Sequence, residues 1–174
     1  MARRPIRLYG DPVLRTRSDV VEPTAPETRA LVDDLFDSVA EAGGIGLAAN
    51  QIGSTARVLV ADLSRVVVGG PRLAVINPEV VRSGEPVRGE EGCLSFPGLY
   101  VQVERPEDVH LRYQTVEGQS EEIKTSGLLA RVLLHELDHL DGVLFIDNLS
   151  SARRVLVAAR LKQFARRQKR GETA

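Results

Sequence analysis

The densest apolar pattern lies in Leu128-Leu-Ala-Arg-Val-Leu-Leu-His-Glu-Leu-Asp-His-Leu140. Leu128, Leu129, Val132, Leu133, Leu134, Leu137 and Leu140 point to nearly every side of a helix of 3.6 residues per turn, which marks a buried rod. Upstream, Leu31, Val32, Leu35, Phe36 and Val39 form the stripe of a first helix. Thr24-Ala-Pro-Glu27 reads as its capping box, with proline in the first turn, and Gly43 and Gly44 end it. Residues 57–124 read as a run of strands: Val58–Val60, Val66–Val68, Leu73–Ile76, Val80-Val81, Val101–Val103, Val109–Tyr113 and a strand around Ile123. Gly-Gly, Asn-Pro, Ser-Gly, Arg-Pro and Glu-Gly pairs separate them. Val109, Leu111 and Tyr113 alternate with polar neighbours, which puts His110 on the exposed face.

Residues 1–23 read as an extended arm in which Ile6, Leu8, Val13 and Leu14 flank a Gly10-Asp11-Pro12 turn. Asp141-Gly142 closes the buried helix, Val143–Ile146 reads as a short strand, and Ser150 or Ser151 caps a last helix through about Arg170. The pattern predicts an α+β fold: antiparallel strands packed around a buried central helix, with an N-terminal and a C-terminal helix. With no linker and no repeat, residues 1–174 read as a single domain.

Composition narrows the class. A hydrophobic content of 43% and charged content of 27% are those of an ordinary globular chain. No stretch approaches the ~20 apolar residues of a membrane span, and the basic N-terminus is followed by no apolar run. One cysteine, Cys93, excludes an internal disulfide and fits a reducing compartment, which points to the cytoplasm.

Into the apolar helix the chain sets His135, Glu136, Asp138 and His139. Burying such groups without partners costs several kcal/mol each, so each needs a partner. His135 and His139 lie one turn apart on one face: this is H-E-x-x-H, two imidazoles for one metal beside a carboxylate able to move a proton. An open catalytic site needs a third protein ligand. The extended form of the motif would place a histidine where Phe145 stands, and the acidic residues after Gly142 are few, Asp147 and Glu172. Cys93 is the better candidate. Alone it reads as a small buried hydrophobe, but Gly92, Pro97 and Gly98 around it suggest a bent strand end that presents a thiolate. A thiolate and two neutral imidazoles on Fe²⁺ or Zn²⁺ give a centre of single net positive charge. Arg105 is a candidate partner for Asp138, whose carboxylate would otherwise be buried alone. Gly44-Ile-Gly-Leu-Ala-Ala-Asn-Gln51 has almost no side-chain bulk, so it is either a tight loop on the core or a place where a ligand's backbone comes close.

Gly44–Gln51, Glu91-Gly-Cys-Leu-Ser95 and His135-Glu-Leu-Asp-His139 resemble, in order and spacing, the three signature motifs of peptide deformylases. Leu8–Leu14 and Gly142–Asp147 extend the resemblance over most of the chain. It implies removal of the N-formyl group from newly made polypeptides, with release of formate. It implies one metal ion per chain, Fe²⁺ with Zn²⁺, Ni²⁺ or Co²⁺ as replacements. It assigns Cys93, His135 and His139 as ligands, Glu136 as general acid/base, and the Gln51 amide and Leu94 N–H as oxyanion donors. Gly44, Ile45 and Gly46 would meet the substrate backbone, and Ile45, Leu128 and Val132 would wall the methionine pocket. Leu134 stands where the family has glutamine, and Tyr100 where members often carry arginine. A zinc endopeptidase of another family and a non-catalytic metal-binding relative are the competing readings; the presence of Glu136 and Gln51 speaks against the second.

Charge is unevenly placed. From Arg153 to Arg170 the tail has eight basic residues, against Glu172 alone as acid, whereas residues 1–149 have 23 acidic and 15 basic side chains. Val157, Leu161, Phe164 and Ala165 give that helix one apolar stripe. It is either a solvated helix whose cations suit its C-terminal dipole or an RNA-binding handle. The resemblance implies a route to the ribosome near the exit tunnel; no DNA and no membrane partner is expected.

Overall fold

The computed structural model describes residues 4–174; Met1, Ala2 and Arg3 of the expected arm lie outside the described residues. The first helix, α1, spans Pro26–Ala42 and stops at Gly43 in the left-handed conformation (φ 71°). Its N-cap is Ala25, without a side-chain bond, so the expected capping box does not form; Thr24 Oγ1 donates to Glu22 instead. A short strand β1 (Gly46–Ala48) and a 3₁₀ turn (Ala49–Ile52) follow. Strands β2 (Val58–Asp62), β3 (Arg72–Ser83), β4 (Pro86–Gly92), β5 (Tyr100–Pro106), β6 (Asp108–Gln114) and β7 (Ser120–Ser126) lead to α2 (Gly127–Leu140) and finally α3 (Ser151–Lys169).

Five strands form an antiparallel sheet in the order β1-β2-β3-β6-β7, and β4-β5 is a separate hairpin. The sheet is covered on both faces, and β2 shows why: all five of its residues are buried. Val58 and Val60 meet α1 with Leu31, Leu35 and Val39, while Leu59 and Ala61 meet α2 with Val132, Leu133 and Leu137. The period of two along a strand splits one apolar run between two cores. A third core holds Phe96, Phe145, Leu161 and Phe164 under α3, with Phe96 edge-on to both other rings. The expected stripe of α3 is therefore docked. Gly10 lets the arm press on Ala165, whose Cα lies 2.9 Å from where a Cβ would be, and Gln168 accepts from the Leu8 N–H and donates to Asp11.

Several expected strands are corrected. Val66–Val68 is a surface turn with Val68 fully exposed; no layer covers it, and the N–H groups of Val66 and Val67 fold back on the Leu63 carbonyl. Asn77-Pro78 does not divide two strands. Asn77 takes a positive φ (52°) inside a bulged β3, held by side-chain bonds to Val21 and Gln114. Val143–Ile146 is no strand: Phe145–Asn148 forms a 3₁₀ turn and its apolar side chains fill the third core. The strand β4 was not expected, because Pro86, two glycines and three charges hide it in composition. In α2 the first turn departs most from a buried rod, Leu128 being 45% exposed, and Arg131 and Asp138 are half-buried. Ser150 caps α3 as expected, accepting from the Arg153 N–H.

Candidate metal centre

Two elements bring three donors to one point. The helix α2 presents His135 and His139 a turn apart, and the turn leaving β4 presents Cys93. Cys93 Sγ and one nitrogen of each imidazole lie within 4.8 Å of one another, with Sγ 3.3 Å from His139 Nε2. The donor set fits a divalent metal: one soft thiolate and two imidazoles, with His135 Nδ1 engaged on Glu91 at 2.9 Å so that Nε2 is the nitrogen left to face Cys93 and an ion.

Glu91 was present in the sequence motif but was given no role there. It lies beside His135 and accepts from Arg105 Nε (2.6 Å) and Nη2 (3.1 Å), as well as from His135. Burial would raise its pKa, but the hydrogen bonds from His135 and Arg105 outweigh burial and hold it at about 2. The expected Arg105–Asp138 pair is present at 2.7 Å. Arg131, also unassigned from sequence, adds a second cation on Glu91. Two guanidiniums thus balance two carboxylates. Asn50, fully buried, donates to the carbonyl of His139 and ties the end of the metal helix to the 3₁₀ turn after β1. The signal for Glu91 was general: an imidazole ligand donates its second N–H to an acceptor.

For His135, burial alone would lower the pKa, but hydrogen bonding to Cys93 and Glu91 pushes it up to about 10. An ion taking Nε2 would have to displace a proton there. His139 is driven well below its ordinary value by burial and then by the His135 charge. Glu136 is buried with Oε2 unpartnered, and burial raises it to about 7. Gly46 leaves room for it: a Cβ there would sit 2.6 Å from Glu136 Oε1.

Gln51 is held by its own turn. Its Oε1 accepts from the Ala48 N–H (2.9 Å), which aims Nε2 at Ser95 Oγ (3.2 Å) and towards Cys93 Sγ (3.6 Å). A cavity of about 750 Å³ opens over the cluster. It brings together Gln51, Cys93, Leu94, His135 and Glu136 with Gly44, Ile45, Gly46, Leu128 and Val132. His139 does not line it and meets Cys93 from the protein side. Tyr100 lines its mouth and is exposed, while Leu134 is buried in the α2 core with no part in the cavity.

A thiol and two imidazoles around one point, a buried carboxyl beside them and an adjoining cleft are the makings of a metal-dependent hydrolase of the H-E-x-x-H class. The sequence profile of the polypeptide deformylase family matches residues 3–155, and the chain belongs to that family. It is 45% identical over 166 residues to a peptide deformylase of Acidobacterium capsulatum, covering 95% of this chain and 98% of that one. A peptide deformylase of Rhodopseudomonas palustris is 44% identical over 171 residues, 96% and 94% of the two chains. Among solved structures, peptide deformylase from Thermus thermophilus superimposes with a TM-score of 0.87 at 40% identity, covering 95% and 99% of the two chains. That from Legionella pneumophila also gives 0.87, at 39% identity over 97% and 99%. The family removes the formyl group from the N-terminal methionine of new polypeptides, and this chain is a hydrolase of that kind.

Proposed function

We propose that this chain deformylates nascent formylmethionyl polypeptides with one Fe²⁺ held by Cys93, His135 and His139, and with Glu136 moving the proton. The observation that carries the reading is the buried, unpartnered Oε2 of Glu136 beside three metal-type donors at the end of a cleft. When bound, the ion supplies Lewis acidity and a nucleophile from water at neutral pH. Glu136 takes the proton from the attacking water and delivers it to the departing amine, leaving formate and a free amino terminus. Gln51 Nε2 and the Leu94 N–H stabilise the oxygen that becomes negative at the formyl carbon. Among the described residues, that N–H meets no protein acceptor. The strand β1 is the edge of its sheet, and Gly44, Ile45 and Gly46 border the cavity, which suits a substrate backbone added alongside. Val132 and Ile45 wall the methionine pocket, with Leu128 at its rim.

The test is formate release from formyl-Met peptides by protein purified without oxygen and loaded with Fe²⁺, Zn²⁺ or Ni²⁺. The Fe²⁺ form is expected to be active and to decay fastest in air, through oxidation of the ion and its thiolate ligand. No formate release from any loaded form would refute the reading.

The whole chain serves as one catalytic domain in the cytoplasm, and α3 is its contact with the ribosome near the exit tunnel. Lys162, Arg166 and Lys169 support this: they are exposed, follow one stripe at spacings of four and three, and have no acidic partner among the described residues. Within the N-terminal half of the helix, Val155 and Leu156 are 74% and 82% exposed. Deleting α3 is a poor test, because removal of Phe164 from the third core alone costs about 3–5 kcal/mol. Charge reversal at Lys162, Arg166 and Lys169 is the better one. It is expected to leave turnover of short formyl peptides unchanged and to weaken salt-sensitive co-sedimentation with ribosomes. Unchanged co-sedimentation at low salt would leave α3 a solvated helix. No helix of the described residues is long and apolar enough to cross a membrane.

A further inference from the structure

Glu91 has four hydrogen bonds, of which Arg105 and His135 make three. The fourth comes from Arg131, on α2 one turn before His135. Arg131 Nη1 donates to Glu91 Oε1 (2.9 Å) and to the Val103 carbonyl (3.3 Å), and Nη2 donates to the Val87 carbonyl (3.0 Å). One guanidinium thus grips both strands of the β4–β5 hairpin and the carboxylate between them. Gly89 makes the space: a Cβ at this position would lie 2.7 Å from both Cζ and Nη2 of Arg131. Gly89 faces Val103 across the hairpin, and the Val103 carbonyl is the one that accepts from Arg131 Nη1. The Arg105–Glu91 pair is internal to the hairpin and cannot fix its place on α2. Of the contacts that do cross, Arg131 makes three, and β4 runs straight on into Cys93.

We propose that Arg131 is a positioning residue for the metal centre: by holding Glu91 and the hairpin backbone together, it sets the separation between the Cys93 turn and the His135 helix. A planar fork suits three acceptors at once, and a lysine ammonium does not. This rests on the reading of Cys93, His135 and His139 as metal ligands.

The test compares wild type with Arg131→Met, Arg131→Lys and Gly89→Ala. Three quantities are read: Zn²⁺ affinity by competition with a chromophoric chelator, the visible spectrum of the Co²⁺ form, and the thermal midpoint of the metal-free protein. Arg131→Met is expected to bind Zn²⁺ about 10–100-fold more weakly and to shift the Co²⁺ bands. Arg131→Lys recovers part of the affinity, and Gly89→Ala, which pushes the guanidinium off the hairpin, moves both readouts in the same direction by less. A merely structural arginine would lower the metal-free midpoint and leave Zn²⁺ affinity and Co²⁺ spectrum at wild-type values, and that result overturns the proposal. If Arg131→Met does not fold, wild-type affinity in both other variants overturns it equally. A wild type that binds no metal overturns the site reading and this one with it; intact wild-type binding with unchanged variants overturns this one alone.

Discussion

Glu136→Gln should lower kcat for formate release by about 10²–10⁴-fold while the protein keeps its full complement of metal. The amide has the shape of the carboxyl and leaves Cys93, His135 and His139 untouched, but it cannot accept a proton from water. Formate release and metal content measured on one sample check both halves. Retained turnover would remove Glu136 from the mechanism. A pH profile gives a second reading. Burial raises Glu136 to about 7 in the metal-free protein, and a bound cation lowers it, so the acid limb of kcat/KM should fall at or below about pH 7 and be absent in the variant. Stability should move the opposite way. The folded carboxyl holds its proton more tightly than the unfolded one, so the metal-free wild type loses stability as pH rises from its unfolded value through about 7. Glu136→Gln lacks that loss, and its thermal midpoint at pH 8 should equal or exceed that of wild type. Oε2 has no protein partner to lose.

The second large effect is expected at Cys93. Cys93→Ala removes the one ligand that does not come from α2, and metal affinity should fall by more than the roughly 10–100-fold that loss of an outer partner costs. Cys93→Asp offers a hard oxygen in its place and should recover part of the occupancy with altered activity. The fold should survive in both, since the Gln51 amide keeps Ser95 and Ala48 when the sulfur is gone. Full metal content in Cys93→Ala, measured after dialysis, would mean that the third ligand lies elsewhere.

What was legible in the sequence follows from range. The helix α2 could be read because its apolar excess and its motif are local. Cys93 could be joined to it because two histidines are too few ligands, and Arg105 to Asp138 because a lone buried carboxylate is costly. Glu91 and Arg131 are 40 residues apart, Asn50 and His139 are 89 apart, and no local periodicity announces such pairs. Val66–Val68 was misread for the converse reason. Valine favours strands because strands are half-buried, and this segment has no layer above it. Phe145 and Ile146 were read as a strand because four apolar residues in a row carry no period that separates a strand from a buried turn. Gly89 and Pro86 concealed β4, whose strand is held by its partner and by Arg131 rather than by its own propensity.

The balance of two carboxylates and two guanidiniums behind His135 also constrains how this site can change over generations. Losing Arg105 leaves Asp138 without its ion-pair partner, and losing Glu91 leaves Arg131 with backbone carbonyls alone, whereas Glu91 keeps Arg105 and His135 when Arg131 is lost. Breaking such a pair costs ~3–5 kcal/mol, a large part of the 5–15 kcal/mol that keeps a typical domain folded. Single steps at Arg105 or Glu91 therefore carry a stability cost that a second change has to offset. Lineages that leave it should do so by paired replacement of Asp138 with Arg105, the two inherited as a unit.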